Sequence, residues 1–200
     1  KYSHFRLLLL RRQGKMIGLT ILGVIVVLLA VFLISVYNNL VQLRQRVQNA
    51  WAQVDVQLKR RYDLIPNLVG AVKGYAQHEK ATLEGVTQAR NMAMNAGNIQ
   101  EQMQAENMLS SALRSLFAVA EAYPELKANT NFMQLQAELT DTESKIAFAR
   151  QFYNDTVQKF NTKIELFPTN LVAGMLGFAM VDYFNLQGEH DARQAVKVEF

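Results

Sequence analysis

The stretch that decides the fold is residues 17–37, which read IGLTILGVIVVLLAVFLISVY. These 21 residues include no charged side chain. A helix of this length extends about 31 Å, which matches the hydrocarbon core of a bilayer. A buried core helix would carry a polar stripe, and a cleaved signal peptide would have a shorter apolar region followed by a small-residue cleavage site. We therefore expect a transmembrane helix over residues 16–37, with Tyr37 as its interfacial aromatic anchor.

The segment before this helix determines the predicted orientation. Residues 1–15 contain five basic side chains and no acidic one. Because the net charge of the whole chain is +4, the charges of the remaining residues sum to −1. We interpret residues 1–15 either as read-through upstream of a start at Met16 or as a short N-terminal extension. With a start at Met16, the nearest charges are Arg44 and Arg46, and the positive-inside rule keeps the following domain in the cytoplasm. If residues 1–15 are translated, the same rule exports that domain.

A helical pattern continues past the span. No Pro or Gly occurs between the span and Tyr62, and apolar residues recur at steps of three and four. They are Leu40, Leu43, Val47, Ala50, Trp51, Val54 and Leu58. The transmembrane helix is therefore predicted to become the first helix of a bundle. Asp63 as a cap and Pro66 in a first turn predict a reversal near 62–65, followed by a second helix that residues 95–98 close.

Two further amphipathic stretches follow. One runs from Ile99 to Ala122 and ends at Tyr123-Pro124, because Pro cannot continue a helix. The other steps by three and four over 33 residues, as in a coiled-coil seam. It contains Phe132, Leu135, Leu139, Thr142, Ile146, Ala149, Tyr153, Val157, Phe160 and Ile164. The sequence thus predicts an all-α protein whose N-terminal transmembrane helix runs into an antiparallel bundle of four long helices over 38–184, followed by a polar C-terminal tail at 185–200.

Composition and motifs point away from catalysis. Hydrophobic residues make up 50% and charged residues 19%, which is typical of a folded chain, and the absence of Cys excludes a disulfide framework. The sequence has no Gly-rich phosphate loop, no His-Glu-x-x-His motif and no Gly-x-Ser-x-Gly elbow. We predict that the protein is not an enzyme and has no cofactor and no metal site. The dense basic cluster at 59–61 lacks interleaved aromatic residues, so we expect no nucleic-acid partner.

Seven polar residues within 50–79 form the candidate partner-binding face. They are Asp55, Lys59, Arg60, Arg61, Asp63, Asn67 and Lys73. Asp55, Lys59 and Asp63 are four apart, so they are predicted to form an ion-pair ladder on one helix face. The alternatives are structural support for this ladder, a solvated helix end for residues 59–61 and a capping role for Asn67.

Aromatic residues at helical spacing are assigned to the core, since they pack there more often than they form a cofactor cage. They are Trp51, Phe132, Phe148, Phe152, Tyr153 and Phe160. The apolar segment after Phe167-Pro168 is too short to span a bilayer. We predict that it packs on the end of the bundle or lies at the membrane surface. The candidate residues of this membrane-surface tail are Leu171, Met175, Leu176 and Phe178.

Several motifs resemble those of the bacterial LemA family. The longest is AWAQVDVQLKRRYDLIPNLV at 50–69, continuing with VKGYAQHE at 72–79. Others are YNNLV at 37–41, AR at 89–90, YPELKA at 123–128, FMQLQ at 132–136 and FPTN at 167–170. The resemblance covers Met16 to Phe200. It implies a single-pass protein of the bacterial inner membrane with a short N-terminus outside and a helical domain inside, and it implies no particular activity.

Three classes of function remain open. The favoured one is a membrane-anchored helical scaffold or adaptor that acts through protein–protein contacts or homo-oligomerisation, because the stretch 50–79 has no catalytic chemistry. The alternative is a membrane- or envelope-stress-linked regulator that senses lipid, and an enzyme is the least favoured. The expected partners are the lipid bilayer, an unidentified membrane or cytoplasmic protein, and a second copy of the chain.

Overall fold

The protein is built from α-helices. The computed structural model describes residues 2–185 of the chain, with side chains from Met16 onward. The helices are α1 (Tyr2–Lys73), α2 (Lys80–Met94), α3 (Ile99–Glu121), α4 (Pro124–Lys127), α5 (Thr130–Glu165) and α6 (Thr169–Met175). No strand occurs in this part of the chain, so the predicted all-α class is confirmed. Of the predicted polar tail, residues 186–200 lie outside the described part.

The apolar part of α1 is not covered by protein. Every side chain from Met16 to Ser35 is exposed, and the first buried one is Val36. By length and composition this part of α1 is suited to cross a bilayer. Apolar side chains exposed over about five turns are unfavourable in water and well solvated by lipid. The predicted apolar helix that runs without a break into the rest of the protein is confirmed.

The reversal predicted near 62–65 is wrong. Helix α1 continues through Pro66 and ends at Lys73. The chain turns at residues 74–79 instead, before α2 begins. Asp63 therefore lies inside α1 and does not cap a new helix.

Helix α2 supplies the physical reason. A proline inside a helix leaves the carbonyl oxygen four residues earlier without its hydrogen bond. Here that oxygen belongs to Tyr62, and it accepts a hydrogen bond of 2.7 Å from Nε of Arg90 in α2. Ile65 and Leu68 are buried, so packing on either side of Pro66 also favours the helix.

The chain divides into two compact units. The anchor unit comprises α1 up to residue 45 together with residues 160–180. In it, the Phe178 ring packs edge-on against Tyr37 and Phe160, at centroid distances of 6.1 and 6.5 Å. The other buried apolar side chains of this unit are Val36, Leu40, Val172 and Ala173.

The body unit comprises the other described residues. In it, α1 and α5 run antiparallel, because Trp51 packs on Tyr153 at 5.3 Å while Arg61, further along α1, pairs with Glu143, which lies earlier in α5. Trp51 also packs on the Phe184 ring at 5.4 Å, so its predicted packing role is confirmed. Helices α2 and α3 form a hairpin, which fits the predicted break at residues 95–98.

Helix α5 follows the predicted seam closely. Seven of the ten predicted seam residues are buried, namely Phe132, Leu139, Thr142, Ile146, Tyr153, Val157 and Phe160, and the other three are half-buried. The core prediction is wrong for Phe148 and Phe152, which are 73% and 52% exposed. Phe148 follows Ile146 by two positions, and two positions turn a helix about 200°, so its side chain faces away from the seam. Phe152 lies one helical turn later on the same side as Phe148.

Candidate functional site

The seven candidate residues of the partner-binding face fall into two groups. The six exposed ones, all on α1, are Asp55, Lys59, Arg60, Asp63, Asn67 and Lys73. The predicted ladder is not formed, because no ion pair joins Asp55, Lys59 and Asp63 in the described structure. Asn67 lies inside α1 and caps no helix start. Arg61 alone is buried, with 2% of its surface exposed.

Arg61 connects three helices of the body unit. Its Nη1 donates to Oε2 of Glu106 in α3 at 2.7 Å, and its Nη2 donates to Oγ of Ser110 at 2.9 Å. Its Nε lies 2.9 Å from Oε1 of Glu143 in α5. Because Arg61 and Glu106 are both buried, removal of one partner would leave an uncompensated charge in the core.

Glu106 is the central acceptor of this cluster. Its side chain accepts hydrogen bonds from the Tyr62 hydroxyl and from Nε2 of Gln102, the latter at 3.0 Å. Burial, and next the neighbouring Glu106 carboxylate, raise the pKa of Tyr62 well above its usual value, so the hydroxyl stays protonated at neutral pH. We refer to Arg61, Tyr62, Gln102, Glu106, Ser110 and Glu143 as the polar core cluster.

Glu143 lies at the edge of the polar core cluster, with 43% of its side chain exposed. Burial raises its pKa, although the Arg61 charge opposes this effect. A cavity of about 280 Å³ beside it is lined by Arg61, Arg114 and Glu143 among others. Because both signs of charge line the cavity, it has no evident preference for an anion or a cation.

The polar core cluster is suited to holding helices together. A general base needs a pKa near the working pH and a lone pair that can face a substrate. Glu106 instead uses both carboxylate oxygens on buried donors, and Tyr62 keeps its proton. Within the described residues, no three His, Asp or Glu side chains come together as metal ligands would. The polar core cluster therefore joins α1 to α3 through hydrogen bonds and α1 to α5 through the ion pair between Arg61 and Glu143.

Sequence reasoning missed this cluster, although a signal was present. Buried residues of α1 step by three and four through Val54, Leu58, Arg61, Ile65 and Leu68. Glu106 precedes Leu109 and Leu113 with the same steps on the buried side of α3. Opposite charges at core positions of two helices indicate a buried ion pair, because an unpaired charge there would be too costly.

An apolar groove lies between α1 and α5 of the body unit. It has a volume of about 710 Å³. The lining residues are Ala52, Gln53, Val56, Gln57, Lys145, Phe148, Ala149 and Phe152. Three large apolar side chains that line the groove are exposed to solvent. They are Val56, which is 62% exposed, Phe148 and Phe152. We refer to this feature as the α1–α5 groove.

A larger groove of about 950 Å³ lies between the end of α1 and α2. Most of the residues that line it are polar, among them Lys73, Lys80, Glu84 and Asn91. It therefore contains one residue of the candidate partner-binding face, while the rest of that face lies elsewhere on α1.

The four candidate residues of the membrane-surface tail differ in their exposure. Leu171, Met175 and Leu176 are exposed, whereas Phe178 is buried in the anchor unit. The predicted helix or turn after Phe167-Pro168 is present as α6. Phe178 therefore serves to attach this segment, and the three exposed residues remain the candidates for membrane contact.

Comparisons with known proteins identify several relatives of this chain. A relative named Protein LemA, from Metamycoplasma hominis, is 29% identical over 148 residues, which cover 74% of this chain and 68% of that protein. Magnetosome protein MamQ 2 from Paramagnetospirillum magneticum is 24% identical, covering 86% and 73% of the two chains. Magnetosome protein MamQ from Magnetospirillum gryphiswaldense is likewise 24% identical, covering 88% and 75%.

The uncovered apolar helix and these relatives together indicate a membrane-associated protein. The sequence model described as the LemA family matches residues 50–200, about three quarters of the chain, including the whole of the polar core cluster. On this match the protein belongs to the LemA family.

Proposed function

We propose that the protein is a membrane-anchored helical scaffold without catalytic activity, and that copies of it bind one another through the α1–α5 groove. The observation that carries the proposal is the joint exposure of Val56, Phe148 and Phe152 around one groove. Single exposed apolar residues are common on soluble surfaces, but several together typically mark an interaction site.

Charged residues border the α1–α5 groove. Lys59 and Arg60 follow Val56 by one helical turn on α1. On α5, Nζ of Lys145 donates to Oδ2 of Asp141 at 2.7 Å. An apolar centre with a charged rim is the usual anatomy of a protein interface. Two exposed members of the candidate partner-binding face, Lys59 and Arg60, thus contribute to the rim. The centre comes from Val56 together with Phe148 and Phe152, the two residues that the sequence assigned to the core.

The membrane favours a second copy as the occupant. Copies held in one bilayer share an orientation and a high effective concentration, so a weak patch suffices for association. A two-fold contact is self-complementary, and it would place Phe148 and Phe152 of each copy against the groove of the other. This arrangement removes all three exposed apolar side chains from water.

The test is the oligomeric state of the full chain in detergent, measured by analytical ultracentrifugation. We expect a dimer or larger assembly for the wild type and a monomer for the pair Phe148→Ser and Phe152→Ser. The matched control is the pair Met108→Ser and Met133→Ser, which changes two exposed apolar residues outside the groove. It should assemble as the wild type does.

A wild type that stays monomeric at every concentration would contradict self-association, as would a groove variant that assembles unchanged. Energy transfer between labelled copies in liposomes repeats the comparison in a bilayer. The monomer could instead co-purify with one membrane protein in a fixed ratio, and the groove variant could lose that protein. This result would show that the protein is an adaptor and that a partner of another kind, not a second copy, occupies the α1–α5 groove.

We further propose a single span in the bacterial inner membrane, with the body unit in the cytoplasm. Arg44, Arg46 and the cluster at 59–61 support this orientation, because basic residues near a span favour the cytoplasmic side. The chain has no Cys, so Gln88→Cys on exposed α2 gives a unique label. A membrane-impermeant maleimide should react only after spheroplasts are permeabilised. Labelling of intact spheroplasts would show an exported body and would favour translation of residues 1–15.

A lipid-linked regulator is the second candidate function. Exposed Leu171, Met175 and Leu176 favour it, since they offer the anchor unit an apolar contact besides α1. A regulator of this kind should change its oligomeric state with lipid composition, whereas a constitutive scaffold should not.

A further inference from the structure

The segment from residue 166 to 180 is unusually apolar for a protein surface. It lies in a charge-free run that is bounded by Glu165 and Asp182. Its exposed large apolar side chains are Leu166, Phe167, Leu171, Met175, Leu176 and Met180. We refer to residues 166–180 as the apolar tail segment.

Helix α6, inside the apolar tail segment, has large apolar side chains on both its buried and its exposed side. Val172 and Ala173 are buried in the anchor unit. Leu171 and Met175 are 61% and 87% exposed, and because they are four residues apart they share the outer side. A helix on a water-facing surface carries polar residues on its outer side. The exposed side of α6 carries one polar residue, Asn170, beside Leu171 and Met175, so most of its large side chains are apolar and indicate a less polar surrounding.

The apolar tail segment is attached to α1 where the predicted span ends. Phe178 packs edge-on against Tyr37 at 6.1 Å, and Tyr37 is the last residue of the apolar stretch 17–37, directly before the polar pair Asn38-Asn39. In the anchor unit, Val36 is the first α1 side chain that is buried, directly after the uncovered part. An aromatic residue at the end of a span lies at the level of the lipid headgroups. The contact with Phe178 brings the apolar tail segment to that level.

A cation lies against the same Phe178 ring. The Arg44 guanidinium stands 5.2 Å from the centre of the Phe178 ring. Arg44 is seven residues beyond Tyr37, about 10 Å further along α1. The order along α1 is therefore bare apolar helix, aromatic contact and then a basic side chain. A lipid leaflet has the same order from its centre outward, with acyl chains first, then the interface and then anionic phosphate groups.

We propose that the apolar tail segment inserts into the lipid interface beside α1 and forms a second membrane contact of this chain. It is too short to span, so it lies in the interface plane, with Leu171 and Met175 directed into lipid. The occupant of this surface is the bilayer itself, because the surface is continuous with the uncovered span. The inference rests on the anchor unit and does not require self-association through the α1–α5 groove.

The test uses the full chain in liposomes of phosphatidylcholine and phosphatidylglycerol. Because the chain has no Cys, Met175→Cys can carry a single environment-sensitive fluorophore, with Leu171→Cys as a second probe position. Both sites are exposed, so the substitutions should not disturb folding. Met133→Cys, an exposed methionine at the start of α5, is the control. We expect lipids spin-labelled near the headgroup to quench both tail probes several-fold more than the control, and aqueous iodide to do the reverse.

Equal iodide quenching at Met175→Cys and Met133→Cys would overturn the proposal, because the segment would then lie in water. Protection from both quenchers that grows with protein density would also overturn it, since a second copy would then cover the segment. Strong lipid quenching at every protein density supports it. These readouts are independent of the ultracentrifugation result for the α1–α5 groove, so either proposal can fail alone.

Discussion

Nε of Arg90 lies 2.7 Å from the carbonyl oxygen of Tyr62, the acceptor that residue 66 would use if it were not proline. A side chain of α2 thus replaces the main-chain hydrogen bond that Pro66 removes from α1. The replacement lets α1 continue to Lys73. The same hydrogen bond joins α2 to Tyr62, which is a member of the polar core cluster. Connected contacts therefore stabilise both the cluster and the part of α1 around Pro66.

We expect Arg90→Met to lower the free energy of unfolding by about 1–2 kcal/mol, because the Tyr62 oxygen would lose its donor. In a Pro66→Ala background the main chain supplies that donor, so the same substitution should cost about 1 kcal/mol less. Urea unfolding of the full chain in detergent, followed by circular dichroism, measures this cycle. Equal costs in both backgrounds would show that Arg90 does not compensate for Pro66.

Arg61→Met should cost about 3–5 kcal/mol of unfolding free energy, since it leaves Glu106 buried without its cation. Adding Glu106→Gln should restore much of the loss by removing the orphaned charge. Arg60→Met, at the exposed neighbouring position, is the control and should stay within about 0.5 kcal/mol of the wild type. Similar losses for the two arginine variants would contradict a special role of Arg61.

Glu143 should make stability depend on pH. Its pKa in the folded protein lies above the ordinary 4.5, so folding favours the protonated carboxyl. That contribution is fully present below pH 4.5 and is lost as the pH rises through the folded pKa. The wild type should therefore lose stability relative to Glu143→Gln as the pH is raised from 4.5 toward neutral. Thermal unfolding of both proteins over this range checks the sign.

Asp141, on the same helix, should behave in the opposite way. The hydrogen bond from Lys145 lowers its pKa below the ordinary 3.8. Its contribution is present above pH 3.8 and is lost as the pH falls through the folded pKa. The stability difference between the wild type and Asp141→Asn should therefore shrink on acidification below pH 3.8. A difference that grows there would refute the assignment.

Local patterns predicted the helices well where their ends are encoded nearby. Helix α3 begins at Ile99 as expected, because Asn98 caps it by accepting a hydrogen bond from the main-chain N–H of Glu101 at 2.9 Å. The predicted seam over 132–164 lies within α5 (Thr130–Glu165), since apolar steps of three and four run through the whole stretch.

Predictions failed where a distant residue decides the outcome. The local sequence around Pro66 predicts a helix start, because it contains no sign of the compensating donor. That donor, Arg90, lies 28 residues after the acceptor Tyr62, and only folding brings the two together. Arg61 reads as part of an exposed basic triplet because its partners lie on α3 and α5. The same holds for the α1–α5 groove, since no local pattern shows that Phe148 has no neighbour to cover it.

Val54 and Val56 provide the sharpest comparison between core and interface on one helix. Val54 is fully buried, so Val54→Asp places an unpaired charge in the core and should cost several kcal/mol of unfolding free energy. Val56 is 62% exposed in the α1–α5 groove, so Val56→Asp should leave the melting transition within about 0.5 kcal/mol of the wild type. The same Val56→Asp protein should nevertheless sediment as a monomer, because a charge in an apolar interface remains unpaired there. A Val56→Asp protein that still assembles would show that the groove is not part of the interface. A Val54→Asp protein that melts like the wild type would contradict the burial of Val54 on α1.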